Sequence, residues 1–468
     1  MKKSNTQKSV RLITTLVSAL VMSCNTGYTQ GWTTVGSAGF SAGAVRLYIS
    51  IATAPDGTPY VVYVDDANGG KATVMKDSSN VWVNVGNPGF SAGVVSMTTI
   101  AVDDNGIPYV AFIDSFYSNN GIVMKYVGGS WVTVGSGPFT DSGLYSPAIA
   151  IGQNDTPYIV CIDNGYGQGD AVVRKFDGSN WIIVGGSPCS TGSVDWTAMA
   201  IGSDGTPYVT YPDDNYNSKA TVVKYSNGMW TSVGSAGFSD NIAEVPSIAV
   251  GTNDTLYVVY GDYYYSGAIT VMKCPASGVG GWELAGSPGF SVAPADGYNN
   301  WIATDECGTP YIAFTNNNNL EVMLMKYIDG NWVMVGGSIG YSTDIAVGNT
   351  ALAIDGNGMP YVAYIDTTEG DRATVVTTTT GICNTGVPAM PTVVKNWQVY
   401  PNPATTELTV SCEQGIGEVV ICNVLGQTVA SPRPSPGERE VLRVDISELP
   451  PGVYFVQMNG QAKKFVKE

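Results

Sequence analysis

The 468-residue chain contains no histidine. That absence removes a His general base, a Ser-His-Asp triad, a Cys-His pair and any His-ligated zinc or copper centre. Any catalysis built here falls to carboxylates, Tyr, Lys, Arg, Ser or Cys. Charge is scarce too: Asp, Glu, Lys and Arg supply 13% of the residues, against about a quarter in an ordinary domain. The balance is acidic, with a net charge of −17. A polyanion is repelled by such a surface, so nucleic acid is excluded as a partner. Helical apolar spacing is rare. Past the leader, no run is long and apolar enough to span a bilayer, so no transmembrane segment is expected.

The leader itself reads as an export signal. Lys2, Lys3, Lys8 and Arg11 flank "LITTLVSALVMS" at 12–23, a stretch too short for a stable anchor. Cleavage is expected between Cys24 and Gly31. "VMSC" leaves lipidation at Cys24 as an alternative, although Met is off-pattern at its middle position. Export makes disulfides chemically available to the eight cysteines. Cys161, Cys189 and Cys274, however, stand where related segments carry Tyr or Phe. They read as small apolar substitutions in a core, with at most one incidental disulfide.

Glycine, at 57 residues, and short alternating runs separated by turn chemistry indicate many short strands. These strands repeat. Trp32, Trp82, Trp131, Trp181, Trp230, Trp282 and Trp332 recur about every 50 residues. So do Tyr60, Tyr109, Tyr158, Tyr208, Tyr257, Tyr311 and Tyr361, each eight residues after an alanine. A lysine series runs through the third strands, from Lys76 to Lys326, at positions expected to be outer and solvated. Each unit holds four strands, such as "YISIAT", "PYVVYV", "KATVMK" and "VWVNVG". Four strands per unit of about 50 residues is the period of a propeller blade. The alanine is expected where inner strands crowd the axis. The array opens with a Trp strand and closes on a unit lacking one, so the N-terminal strand is expected to complete the seventh blade and remove both sheet edges. The fold class is thus all-β: a seven-bladed β-propeller of four-stranded blades, then a small Ig-like β-sandwich. The layout resembles kelch and WD-repeat propellers, without their marker motifs. The expected boundaries are signal peptide 1–30, propeller 31–382, linker 383–396 and C-terminal module 397–468.

The C-terminal text carries "VYPNPA" with Asn402 and Pro403, "LGQ" with Gly426, "LPPGVYFV" with Gly452 and Tyr454, and a basic tail of Lys463, Lys464 and Lys467. In this order and spacing it resembles the type A C-terminal sorting domain of proteins exported by the type IX (Por) secretion system of the Bacteroidetes. The resemblance implies an Ig-like sandwich read by the outer-membrane translocon, and a secreted or cell-surface location. A purely structural Ig-like domain is the alternative. Strand alternation and Gly/Pro turns in this segment independently suggest a small sandwich.

Function is expected where the blades differ. The second strands end on Asp65, Asp114, Asp163, Asp213, Asp262, Asn316 and Asp366, a ring at one face. Three readings stay open for the ring: caps on the blades' own loops, a cation site with calcium as the fitting ion, or a catalytic pair. No catalytic residue, cofactor or metal ligand is assigned. The loops that follow are rich in Tyr, Asn, Asp and Gly. Their candidates for ligand contact are Asp66, Asp214, Phe116, Tyr117, Tyr166, Tyr216, Tyr263, Tyr264 and Tyr265, which suit a glycan or an extracellular protein. Phe40, Phe90, Phe139, Phe238 and Phe290 are expected to pack between blades. Arg46, Arg174 and Arg372 hold unequal repeat positions and are not expected to converge. The expected function is a secreted or surface binding protein. A carboxylate-based glycosidase or lyase and a structural matrix component are the alternatives.

Overall fold

The computed structural model describes residues 31–378 apart from 168, 292–299, 317–318, 337–338 and 342–349, and residues 397–468 apart from 413–418, 424–427, 431–440 and 459–460. The leader with Cys24, the 383–396 linker and Gly426 lie outside the described residues. The chain divides into two compact units, residues 1–382 and 383–468.

The first unit is a seven-bladed β-propeller. In blade 1, Val45–Thr53, Pro59–Asp65, Lys71–Asp77 and Trp82–Asn84 form a four-stranded antiparallel sheet in chain order. Five further blades repeat this plan, the sixth blade adding Gly340–Tyr341 against Glu321–Ile328, and the inner strands contact one another in a closed cycle. The seventh blade takes Thr350–Ile354, Pro360–Asp366 and Arg372–Thr378 from the end of the array and Trp32–Thr34 from its start. Trp32 lies opposite Thr378, and Thr34 opposite Val376. The ring closes as its unpaired ends demanded, because an open edge would expose a row of backbone donors and acceptors.

The hydrophobic core is not one mass but seven clusters, one in each seam between neighbouring blades. The Trp series stitches these seams. Trp82, Trp131, Trp181, Trp230, Trp282 and Trp332 each donate the indole N–H to a backbone carbonyl of the preceding blade, at 2.7–3.0 Å. The Phe series lies on the same rings: Phe40 stacks on Trp82 at 4.1 Å and Phe238 on Trp282 at 4.0 Å.

The repeated alanines of the inner strands pack into the seams, as Ala52, Ala101 and Ala249 do. One sequence expectation changes here. The strand lysines are more than solvated outer positions. Each lies directly across from the repeated Tyr, as Lys76 does from Tyr60 and Lys125 from Tyr109. In those two blades the ammonium sits 5.6 and 5.5 Å from the ring centre. Cys161, Cys189 and Cys274 are free and buried, as small core substitutes should be. Cys307 is disulfide-bonded.

The second unit has two sheets, one of Trp397–Tyr400, Glu407–Cys412 and Val441–Asp445, the other of Thr428–Ala430, Val419–Asn423, Gly452–Met458 and Gln461–Lys467. Leu408, Val410 and Val444 from the first meet Ile421, Val456 and Phe465 from the second in a single core. That is a small β-sandwich.

Candidate binding face

Each second strand ends at the same face, and its terminal carboxylate turns back into the blade. Asp65, Asp114, Asp163, Asp213, Asp262 and Asp366 are all at most 4% exposed. One oxygen of each accepts the backbone N–H two residues on, at 2.9–3.1 Å. In five blades this caps a single 3₁₀ turn, closed by a residue in the left-handed conformation. The second oxygen has its own partner. Thr73, Thr221, Thr270 and Thr374 donate to it at 2.7–3.0 Å. Their hydroxyls in turn accept from Gly89, Gly237, Gly289 and Gly39 at 2.8–2.9 Å.

The glycines are forced. Each has φ between 57° and 62°, and a Cβ there would lie 2.5–2.8 Å from the side chain that ends the turn: Asn68, Tyr216, Tyr265 or Glu369. The "GF" of the repeat, the strand Thr and the terminal Asp are therefore one device that fixes the loop. Two blades depart from it. Blade 3 has Val172 and Pro188 at the Thr and Gly positions, and buried Arg174 bonds Asp163 instead, at 2.5 Å. Blade 2 has Ile122 and Pro138, and nothing replaces them: Oδ2 of Asp114 is buried with no hydrogen-bond partner.

These bonds decide the ring's geometry. Its aspartates turn back into their own blades, Asp114 through one oxygen only, and Asn316 in blade 6 faces the sulfur of Met323. Among the described residues no group of three or more Asp, Glu, His or Cys is placed to hold a metal ion. Desolvation pushes Asp163 up, but bonds from Ser142, the Gly165 N–H and Arg174 outweigh it and hold its carboxyl below the usual range. Asp262 goes the other way: desolvation raises it despite its bonds to Thr270 and the Tyr264 N–H.

The second carboxylates are exposed but engaged. Asp66 pairs with Arg46. Asp214 accepts from Ser218 at 3.0 Å and Ser193 at 3.2 Å. They belong to blades 1 and 4, which are not neighbours, so they do not form a pair. The three propeller arginines are also dispersed: Arg46 is exposed at its pair, Arg174 is buried and Arg372 is exposed.

The aromatic candidates do gather. Phe116, Tyr145, Tyr216, Tyr263, Tyr264 and Tyr265 are exposed, and among the described residues they are the exposed aromatics of the propeller. All lie at the capped face, on blades 2 to 5, a continuous arc. Tyr117 and Tyr166 in the same arc are half-buried. Edge-to-face pairs brace the turns, Phe116 with Tyr117 and Tyr264 with Tyr265, both at 5.0 Å. Tyr264, 70% exposed, points furthest into solvent. Tyr145 escaped the sequence reading because it opens an inner strand and not a loop. Its pairing with Ile162, beside the end of the second strand, brings it to this rim.

In the second unit the motif residues are structural. Asn402 accepts from the Val466 N–H at 2.9 Å and donates to Lys464 O at 3.2 Å, tying the "PNP" segment to the last strand. Pro403 follows through a cis bond, and Ala404 bridges to Lys467. The Tyr454 hydroxyl donates to Pro450 O at 2.9 Å, the bond of a tyrosine corner. Gly452 opens the strand beneath that ring. Residues 398–468 match the family described as "Secretion system C-terminal sorting domain". The C-terminal module is a type IX sorting domain. The protein is exported through that translocon to the cell surface or beyond, and no helix of the described residues is long and apolar enough to cross a membrane.

No curated protein matches the chain. Solved structures similar to it include a mutant of the Aleuria aurantia lectin with Fucα1-6GlcNAc, at 14% identity, TM-score 0.42, 65% of this chain and 100% of that one. An α-L-arabinanase of Penicillium chrysogenum with arabinobiose gives 12%, TM-score 0.41, 74% and 98%. A Dyadobacter fermentans protein of unknown function gives 11%, TM-score 0.40, 65% and 97%. Each is a distant likeness of shape, too remote to assign a ligand or a reaction.

Proposed function

We propose that this exported propeller is a glycan-binding protein whose site is the aromatic arc on blades 2 to 5. One observation carries the reading: the exposed aromatics share one face, and rigid capped turns hold them there. An exposed aromatic ring offers an apolar face to the C–H side of a sugar, and its preorganised turn lowers the ordering cost of binding. The scarcity of cations around it favours neutral glycans over acidic ones. A hydrolase would draw on Glu244, a half-buried rim carboxylate raised by desolvation. The capped aspartates are already committed, which leaves binding the better supported reading.

The test is a glycan array probed with the full chain and with a Tyr263→Ala/Tyr264→Ala double variant. Neutral polysaccharides should be retained by the wild type and bound roughly tenfold more weakly by the variant. Absence of glycan binding, or a variant that binds as the wild type does, would sink the proposal. Release of reducing sugar that is abolished in Glu244→Gln would establish the hydrolase instead.

A further inference from the structure

Inside the rim the inner strands enclose an axial cavity of about 240 Å³. In blade after blade its wall is the stretch just before the repeated alanine: Tyr48 to Ile51, Met97 to Ile100, Ser146 to Ile149 and Trp196 to Met199. Four wall residues hold a left-handed backbone without being glycine: Tyr48 (φ 75°), Met97 (52°), Ser146 (49°) and Val245 (44°). Each stands at a bulge where pairing with the second strand slips. A Cβ makes that conformation unfavourable, so the surrounding structure must hold it in place. Bonds between blades do so. Thr98 donates to Tyr48 O at 2.5 Å, and Thr197 donates to Ser146 O at 2.7 Å. Bulges of this kind re-aim side chains.

The side chains on this wall have a definite chemistry. Among the described residues no Asp, Glu, Lys or Arg lines the cavity. Its two tryptophans, Trp196 and Trp301, are the propeller's only described tryptophans outside the repeat series. The series tryptophans from Trp82 onward spend their indole N–H on a neighbouring blade. Trp196 meets no acceptor among the described residues, and the hydroxyls of Tyr48, Thr99 and Ser247 are equally unpaired. Aromatic faces beside free donors match a sugar ring, apolar on its C–H face and rich in acceptors at its edge. A charged ligand would enter without a counter-charge. The volume falls below the roughly 300–1,000 Å³ of pockets for drug-sized ligands, so it suits one ring and not a chain. The wall also continues to the arc: Tyr145 is exposed at the rim, and the next residue, Ser146, lines the cavity.

We propose that the axial cavity binds one neutral monosaccharide unit, the terminal residue of a glycan whose chain continues over the aromatic arc. For the continuing chain it rests on the glycan-binding reading; for the cavity it stands on the wall residues alone. The full chain is titrated with D-glucose, D-galactose, L-fucose and D-glucuronate, by calorimetry and tryptophan fluorescence. A neutral sugar should bind and change the fluorescence, and glucuronate should not. Trp196→Phe keeps a ring but removes the donor, and should weaken binding about tenfold. Ser247→Ala should weaken it severalfold. Failure of every neutral sugar to bind, or wild-type affinity in both Trp196→Phe and Ser247→Ala, overturns the cavity site. Oligosaccharide binding lost in Tyr264→Ala yet intact in Trp196→Phe also overturns it, and leaves the arc standing. Monosaccharide binding lost in Trp196→Phe with no polysaccharide retained supports the cavity and overturns the arc.

Discussion

Replacing Asp65 by alanine should destabilise the propeller far more than replacing Asp114. The two residues hold the same repeat position, are equally buried and cap the same turn. They differ in what the second oxygen does. Asp65 accepts from Ala67 N, from Asn68 Nδ2 at 2.8 Å and from Thr73 Oγ1 at 2.7 Å. Asp65→Ala loses the cap, about 1 kcal/mol. It also strands the buried Thr73 hydroxyl, about 1–3 kcal/mol more. The total is about 3 kcal/mol. Asp114→Ala loses only the bond from Phe116 N, at 2.9 Å. It also removes a buried oxygen that no donor satisfies. The two changes oppose each other, and the net cost is about 0–1 kcal/mol. Denaturant titrations of both variants, read by tryptophan fluorescence and by far-UV dichroism, measure the difference. Equal losses would refute the reasoning, because they would mean that the Gly–Thr–Asp chain contributes nothing beyond the cap.

Deleting residues 31–36 should open the ring at blade 7 and expose the Arg372–Thr378 edge; a lower melting temperature with concentration-dependent association in size-exclusion runs is expected, and an unchanged monomer would contradict closure by the N-terminal strand. Asp163 and Asp262 should give opposite pH signatures. The folded pKa of Asp163 is lowered, so its stabilisation is full above the unfolded value of about 3.9 and is lost as pH falls through the folded value. The folded pKa of Asp262 is raised, so its contribution is present below the unfolded value and is lost as pH rises through the folded one. Asp163→Asn and Asp262→Asn should therefore change the acid limb of stability with opposite slopes in denaturation measured from pH 2 to 6. Asn402→Ala should release the last strand of the sorting domain, since it breaks both bonds to the 464–466 backbone; loss of surface delivery with precursor retained in the periplasm is expected by immunoblot of cell fractions.

The repeat architecture was legible because a propeller is nearly one-dimensional. Each blade restates its strands and turns, so period, blade count and ring closure can be read from the spacing of Trp, Tyr and Ala alone. The aspartate ring was legible as positions only; of the three readings open for it, loop caps match the bonds observed. The sorting domain was legible because its motif residues sit where backbone segments are tied: Asn402 to the last strand, Tyr454 to Pro450. The reasons behind the repeats were less visible. Gly89, Thr73 and Asp65 are scattered along the text, and only the folded blade shows that they form one hydrogen-bonded chain. In the text the Tyr and Lys series look unrelated, and only strand register joins them.

By itself the sequence determined a secreted, histidine-free ring of seven blades with a sorting domain, since these follow from composition, period and local turn chemistry. The tertiary structure decided which faces and walls matter. Tyr145 joins Tyr216 and Tyr264 on one arc, and Tyr48 and Trp196 line one axial cavity, because the closure of the ring brings distant blades together. No local pattern in the chain carries that information: the bulges of the axial wall at Tyr48 and Ser146 are held by bonds from neighbouring blades, and those neighbours exist only once the ring has closed.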